Sequence, residues 1–304
     1  MSEIVVGIDD SASAEDALAF ARRLADATGA RLQLASAYPY EEWPSRVASH
    51  EFGAHLRDEA QAVLDRRAAS LGDDNVPMHA IADHSPARAL HRVAEHIGAA
   101  LTVVGSTHRG ALGRVLPGST GERLLHGSPC PVAIAPRGYA AQGSAPIGIV
   151  GVGYDTSDES EAALRAACRV ARAFDAHLRV IRVFDATRVG TPALMTFPGW
   201  EAFNEDYEQH QRQGLERAVA ALPSEVSAEA VFVAGRPGSD LATQSQDVDL
   251  MIVGSRGYGP MAAVMLGGAT HTLIRDAACP VVVLPRGTES GLDALFRRAE
   301  AAAS

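Results

Sequence analysis

Apolar residues along this chain fall into two kinds of segment that alternate. Some are short β-branched runs, and others are longer Ala/Leu stretches with helical spacing. Ile4–Ile8 is a run of the first kind. Ala14, Ala17, Leu18, Ala21, Leu24 and Ala25 then recur at three- and four-residue intervals, as one face of a helix requires. The pattern continues with a strand at Leu32–Ala37, a helix through Ala54–Leu71, a strand at Val76–Ala82 and a helix near Ala87–Ile97. A strand at Leu101–Gly105, a glycine-bearing loop, a helix from Ser119 and a last strand at Val132–Ala135 complete the series. Alternating strands and helices of these lengths predict a parallel sheet with helices on both faces.

The series then starts again. VVGSTHRGALGRVLPGST from Val103 returns as IVGSRGYGPMAAVMLGGAT from Ile252, and CPVAIAPRG from Cys130 returns as CPVVVLPRG from Cys279. Gly105 and Gly254 stand 149 positions apart (254 − 105), as do the two cysteines. The openings also match: IVVGIDDSASAEDAL from Ile4 and IGIVGVGYDTSDESEAAL from Ile147. The chain is therefore a tandem duplication. Domain 1 covers 1–138, a breaker-rich linker 139–146, domain 2 147–287 and a tail 288–304. In domain 2 the first strand is expected near Ile147–Val152 and the last at Val281–Leu284. Leu292–Ala303 reads as a marginal surface helix.

Composition narrows the function. Of the 304 residues, 47% are hydrophobic, 21% charged and only 5% aromatic, which suits small-residue helices on Val-rich buried strands. The net charge of −10 excludes a typical phosphate-backbone binder, so no nucleic-acid partner is expected. No apolar run approaches the ~20 residues that span a bilayer, so no membrane partner is expected either. The first ten residues carry Glu3, Asp9 and Asp10 and no basic region, which does not read as a signal peptide, and the expected location is the cytoplasm. Cys130, Cys168 and Cys279 are too few for a disulfide framework and read as small buried hydrophobes.

In an open parallel sheet, ligands bind beyond the carboxyl ends of the strands, where strand order reverses. Three segments of each half are expected at that edge. The first is the turn after the opening strand, with Gly7, Ile8 and Asp9, or Gly153 and Asp155. There a carboxylate accepts from a ribose hydroxyl or base edge, or else serves helix capping beside Ser11 or Ser157. The second is the end of the second strand, Ala37 or Val183, where an adenine or ordinary strand packing fits. The third is the glycine loop. In domain 1 it offers Gly105, Ser106, Thr107, His108, Arg109 and Gly110, then Gly118, Ser119 and Thr120 at a helix start. In domain 2 it offers Gly254, Ser255, Arg256, Gly257 and Gly259, then Gly267, Gly268 and Ala269. Glycines admit close backbone approach to phosphate, and helix-start N–H groups favour an anion. Ser119 with Glu122 fits a capping box, and Arg109, Arg114 and Arg256 have a reason to lie beside a phosphate.

These motifs resemble those of the universal stress protein family over nearly the whole chain. ATP-binding members show glycine, two residues, glycine, nine residues, then glycine and Ser or Thr, followed by a CPV-type last strand. The resemblance implies two Rossmann-like (adenine nucleotide α-hydrolase-like) α/β domains, each a five-stranded parallel sheet of order 3-2-1-4-5. It also implies ATP as ligand, with any Mg²⁺ carried by the nucleotide, adenine near the first two strand tips and phosphates on the glycine loop. Neither half matches fully. His108 stands where the second glycine belongs in domain 1, and Gly268 replaces the hydroxyl residue in domain 2. Family members pair through their last strands, which implies pseudo-twofold pairing of the two domains here, with a homodimer beyond that as an option. The implied role is a nucleotide-responsive regulatory protein without catalytic residues or a bound metal, at most a slow ATPase.

Two other readings stay open. One is a nucleotide-free interaction module, as found among motif-poor members. The other is an adenylyl-transfer enzyme, which would carry an SGGxDS-like loop where this chain has IDDSASAED. A Rossmann dehydrogenase is excluded, because the glycine loop follows the fourth strand and not the first.

Overall fold

A computed structural model describes residues 2–40, 47–73, 75–107, 112–143, 145–188, 198–255, 266–288, 292 and 294–296. Domain 1 has strands β1 Glu3–Gly7, β2 Arg31–Tyr38, β3 Met78–Ala82, β4 Leu101–Gly105 and β5 Val132–Ala135. Its helices are α1 Ala12–Thr28, α2 Val47–Leu71, α3 Pro86–Ile97 and α4 Ser119–Leu125. Domain 2 repeats the order with β6 Ile149–Gly153, β7 His177–Phe184, β8 Ala228–Ala234, β9 Leu250–Gly254 and β10 Val281–Leu284. Its helices are α5 Asp158–Phe174, α6 Trp200–Ala220, α7 Pro237–Gln244 and α8 Gly268–Asp276.

All ten strands form one sheet of order β3-β2-β1-β4-β5-β10-β9-β6-β7-β8. Strands run parallel within each half, in the order 3-2-1-4-5, and the two halves meet at an antiparallel junction. There Val281, Val282 and Val283 face Ile134, Ala133 and Val132. Every residue of β5 and β10 is buried, so each strand covers an apolar edge the other would expose. An antiparallel junction rotates one half by a half-turn within the sheet plane, which keeps equivalent helices on the same face. The carboxyl ends of the strands therefore face one edge in domain 1 and the opposite edge in domain 2.

Strand alternation sorts side chains into two core layers that each run through both halves. Ile4, Val6, Ala133 and Val282 point to the layer of α1, α2, α5 and α6. Val5, Ile134, Val281 and Val283 point to the layer of α3, α4, α7 and α8. All three cysteines are buried and unbridged, and burial pushes each thiol up from its ordinary value. They pack as small hydrophobes.

Some element ends differ from the sequence reading. β3 starts at Met78 and not Val76, because the intervening Pro77 has no N–H for the ladder. β6 starts at Ile149, two residues after Ile147. The tail is corrected more seriously. Residues 292 and 294–296 are helical, but Leu292, Leu295 and Phe296 are buried in the first core layer, with Phe296 against Phe174. Ser2 donates to the Ala294 carbonyl at 3.1 Å. The i, i+3, i+4 apolar stripe is thus a core face, not a surface helix. Residues 297–303 lie outside the described residues.

The tip of β3 carries a built ion pair. Asp83, buried, accepts from Arg88 Nε and Nη2 at 2.7 Å each and from the Ser85 N–H at 2.8 Å, where Ser85 caps α3. The Arg88 hydrogen bonds, then the Ser85 N–H and the charge of Arg92, outweigh burial and hold the carboxyl below the usual carboxylate value. A lowered folded-state value means stability present above the unfolded value of about 4 and lost as pH falls through the folded one. Acid titration of unfolding is expected to show a smaller loss below about pH 4 in Asp83→Asn than in the parent. Equal acid sensitivity of the two proteins would remove Asp83 from the account.

Candidate functional site

In each half the strand order reverses between the first and fourth strands. β1 pairs with β4, and β6 pairs with β9. Chain leaving β1 turns to one face of the sheet and chain leaving β4 to the other, which opens a crevice at the carboxyl edge.

In domain 1 the crevice floor is backbone. A Cβ at Gly105 would fall 2.0 Å from the Ser13 carbonyl oxygen, so glycine lets the tip of β4 touch the first turn of α1. Ser106 is buried and serves the loop itself. Its N–H and Oγ both donate to the Ala135 carbonyl, at 3.0 and 2.8 Å, and its Oγ accepts from the Leu116 N–H at 3.2 Å. The Thr107 N–H donates to the Leu116 carbonyl at 2.7 Å, and Ser106 bridges Pro117. These bonds bring Gly118 back to the crevice beside Thr107. Gly118 is the N-cap of α4 and no side chain caps it, so the expected Ser119–Glu122 capping box does not form. Ser119 is already the first helical residue, exposed, with Thr120 half-buried after it.

Domain 2 builds the same frame. The Ser255 N–H donates to the Leu284 carbonyl at 2.9 Å, and the Gly267 N–H donates to the Ser255 carbonyl at 2.7 Å. Thr270 Oγ1 donates to the Gly254 carbonyl at 2.9 Å. Gly267 caps α8 without a side chain, Gly268 is exposed with open space where a Cβ would go, and Ala269 is half-buried. His108, Arg109, Gly110, Arg256, Gly257 and Gly259 lie outside the described residues.

The aspartates organise the turns. Asp9 Oδ1 accepts from the Ser11 N–H at 3.0 Å and from its hydroxyl. Asp155 Oδ1 accepts from the Ser157 N–H at 3.0 Å and from its hydroxyl at 2.5 Å. Ser157 in turn accepts from the Ser160 N–H at 3.2 Å and caps α5, whereas Ser11 makes no side-chain cap on α1. The capping alternative thus belongs to Ser157 with Asp155 orienting it. Gly7 and Gly153 keep the floor thin beneath Leu90 and Val253. Ile8 points into the core, so only its backbone faces the edge. Ala37 and Val183 are half-buried near the second strand tips, and Val183 packs against the layer of α7 and α8.

Two residues of consequence escaped the sequence reading, Glu159 and Asp16, and a third, Arg114, stands elsewhere than expected. Glu159, the domain 2 counterpart of Ser13, is buried with its Cβ 2.9 Å from where a Gly254 Cβ would stand. Its carboxylate accepts from Arg286 Nε at 2.7 Å and pairs with Nη2 at 2.5 Å, over the tips of β9 and β10. Asp16 anchors the chain leaving β5. Arg114 does not face a phosphate position: its Nη1 donates to the Asp276 carbonyl of α8 at 2.8 Å, and the adjoining Val115 N–H donates to the Ala277 carbonyl at 2.7 Å. The exchange of Ser13 in SASAED for Glu159 in SDESEA was the available signal for Glu159. Nothing local marks the contact of Arg114 with α8.

Among the described residues no helix is long and apolar enough to cross a membrane. The family model described as "Universal stress protein family" matches residues 1–136 and again 146–285. A universal stress protein of Mycobacterium tuberculosis is 31% identical over 248 residues, 81% of this chain and 82% of its own length. A second from the same species is 29% identical over 292 residues, covering 92% and 95%. The crystal structure of a universal stress protein from Archaeoglobus fulgidus superposes with a TM-score of 0.60 at 18% identity, covering 94% of this chain and 96% of that one. That likeness speaks for the fold alone. Two matched copies of one domain model, relatives of the same length and the repeated crevice lead to one statement: this chain is a tandem, two-domain member of the universal stress protein family.

Proposed function

We propose that the chain binds ATP at the domain 1 crevice and acts as a nucleotide-responsive regulatory protein of the cytoplasm, not as a dedicated enzyme. One observation carries the reading. At a single sheet edge, α1 closes on the bare Gly105 tip just after the Asp9 turn, and backbone hydrogen bonds of Ser106 and Thr107 return the chain to the uncapped start of α4 at Gly118. A carboxylate for ribose thus stands beside N–H groups for phosphate. Any Mg²⁺ would arrive with the nucleotide.

The halves are not equivalent in this reading. Where Ser13 stands in domain 1, domain 2 has Glu159 at the β9 tip, and the Glu159–Arg286 ion pair fills the position and commits a guanidinium that a phosphate there would need. Domain 1 is the nucleotide site and domain 2 the weaker one. The β5–β10 junction serves as the standing interface between the halves, with homodimerisation a further step.

Calorimetric titration with ATP and Mg²⁺ is expected to give one site per chain, and Glu159→Ser is expected to raise the number toward two. Absence of heat and of a thermal shift at millimolar ATP would sink the nucleotide reading. Two equal sites in the parent protein would sink the role given to Glu159.

A further inference from the structure

We propose that the groove between α5 and α6 is a binding site for a single-chain amphiphile with a carboxylate head, such as a medium- or long-chain fatty acid. The groove has a volume of 660 Å³, within the range of small-molecule sites, and runs from Tyr154 near the strand tips to Pro223 after α6. Its floor is apolar, with Leu164 and Leu222 among its residues. Its walls are cationic. Arg165, Arg169 and Arg172 come from one face of α5 at i, i+4, i+7 spacing, and Arg217 comes from α6 opposite.

Four arginines around one apolar trough are out of character for a chain of net charge −10. Glu161 also lines the groove, and its carboxylate accepts from the Tyr154 hydroxyl. Glu225 lies 3.8 Å from Arg172, and Arg217 Nε donates to the Gln213 carbonyl at 3.2 Å. Domain 1 distributes the charges of the same pair of helices differently. There Arg22 meets Asp26, Arg66 meets Asp10, Arg67 meets Glu15, and Arg23 donates to Tyr139 and Gly143. Domain 2 has Arg172 in place of Asp26, Arg165 in place of Ala19 and Cys168 in place of Arg22. The exchanges remove an acid, add cations to the rim and make the floor more apolar.

Guanidinium groups bind carboxylates bidentately, and the floor takes an alkyl chain. A trough of this volume suits one such molecule, with the cationic rim for its head and the apolar floor for its chain. The inference stands apart from the nucleotide reading, since the groove lies between helices on one face and not in the crevice.

The test uses the full chain and a fluorescent dansyl-undecanoate probe, displaced by laurate below its micelle concentration. Saturable binding is expected, weakened at least about tenfold by Arg165→Glu and, independently, by Arg217→Glu. Both residues are exposed, so either variant is expected to fold. Dodecanol, with the same chain and no charge, is expected to compete at least about tenfold less well than laurate. The proposal is overturned by the absence of saturable binding up to about 100 μM probe. It is equally overturned by binding that neither variant weakens, by equal competition from dodecanol, or by a groove that takes only an acidic peptide.

Discussion

Gly105→Ala is expected to destabilise the chain by about 3 kcal/mol or more and to lower the thermal midpoint by roughly 6 °C or more. The added methyl would sit 2.0 Å from the Ser13 carbonyl oxygen, 2.6 Å from its carbonyl carbon and 2.8 Å from its Cβ. The first two are backbone atoms in the first turn of α1. They yield only if the helix lifts, and the helix is held by Ala14, Ala17, Phe20 and Leu24 in the core. Two other glycines of the same frame calibrate the effect. At Gly254 the nearest atom, Glu159 Cβ, lies at 2.9 Å and the backbone at 3.1 Å, so alanine there is expected to cost about 1 kcal/mol. At Gly118 only Thr107 Cβ comes within reach, at 3.8 Å, and φ is −78°, so alanine is expected to be nearly neutral for folding. Urea unfolding of the three variants checks the order. A Gly105→Ala protein within about 1 kcal/mol of the parent would contradict the closure of α1 on the β4 tip.

Asp16→Ala is expected to cost about 3 kcal/mol and to open the connection between the halves to proteases. Asp16 is buried on α1 and accepts from the Gly138 N–H at 2.7 Å and the Ala140 N–H at 2.8 Å. Both amides belong to the chain leaving β5. The same docking includes Tyr139, edge-on to Phe20 at 5.5 Å, and Arg23, which donates to the Tyr139 hydroxyl and the Gly143 carbonyl at 2.6 Å each. Alanine leaves two part-buried amides without their acceptor. Asparagine keeps one oxygen but turns an NH₂ toward the other amide, so Asp16→Asn is expected to recover about half the loss. Limited proteolysis over 138–146, together with urea unfolding, reads both effects. Unchanged cleavage and stability in Asp16→Ala would show that the connection is held elsewhere.

The duplication and the alternation of strands and helices were legible because burial on both faces leaves a strong mark, short Val- and Ile-rich runs separated by helix-spaced alanines, whereas the strand order came from the family resemblance. The crevice was legible for the same kind of reason, since only glycine permits the approach seen at Gly105. Less of the rest was local. The start of α4 is set by the Ser106–Pro117 bridge, a contact across eleven residues, so the hydroxyl at 119 was misplaced by one position as a cap. Asp16 and Glu159 look in sequence like ordinary acids of a helix's first turns. Their burial depends on what crosses above them, the chain after β5 for one and Arg286 for the other. The tail shows the converse error. Its stripe of Leu292, Leu295 and Phe296 is visible in the sequence, but that it faces the core depends on packing against Phe174, more than a hundred positions away.

The antiparallel meeting of β5 and β10, within one chain, has a consequence for how the two halves change over generations. Separate copies that associated through their last strands would mix at random, and a useful difference in one would be diluted into like pairs. Here the docked connection through Asp16 sets a high local concentration of the unlike partner and leaves a single pairing. Serine at 13 and glutamate at 159, or aspartate at 26 and arginine at 172, can then coexist in every molecule. Each half becomes a separate heritable character, free to be selected for its own ligand while the other holds its place in the sheet.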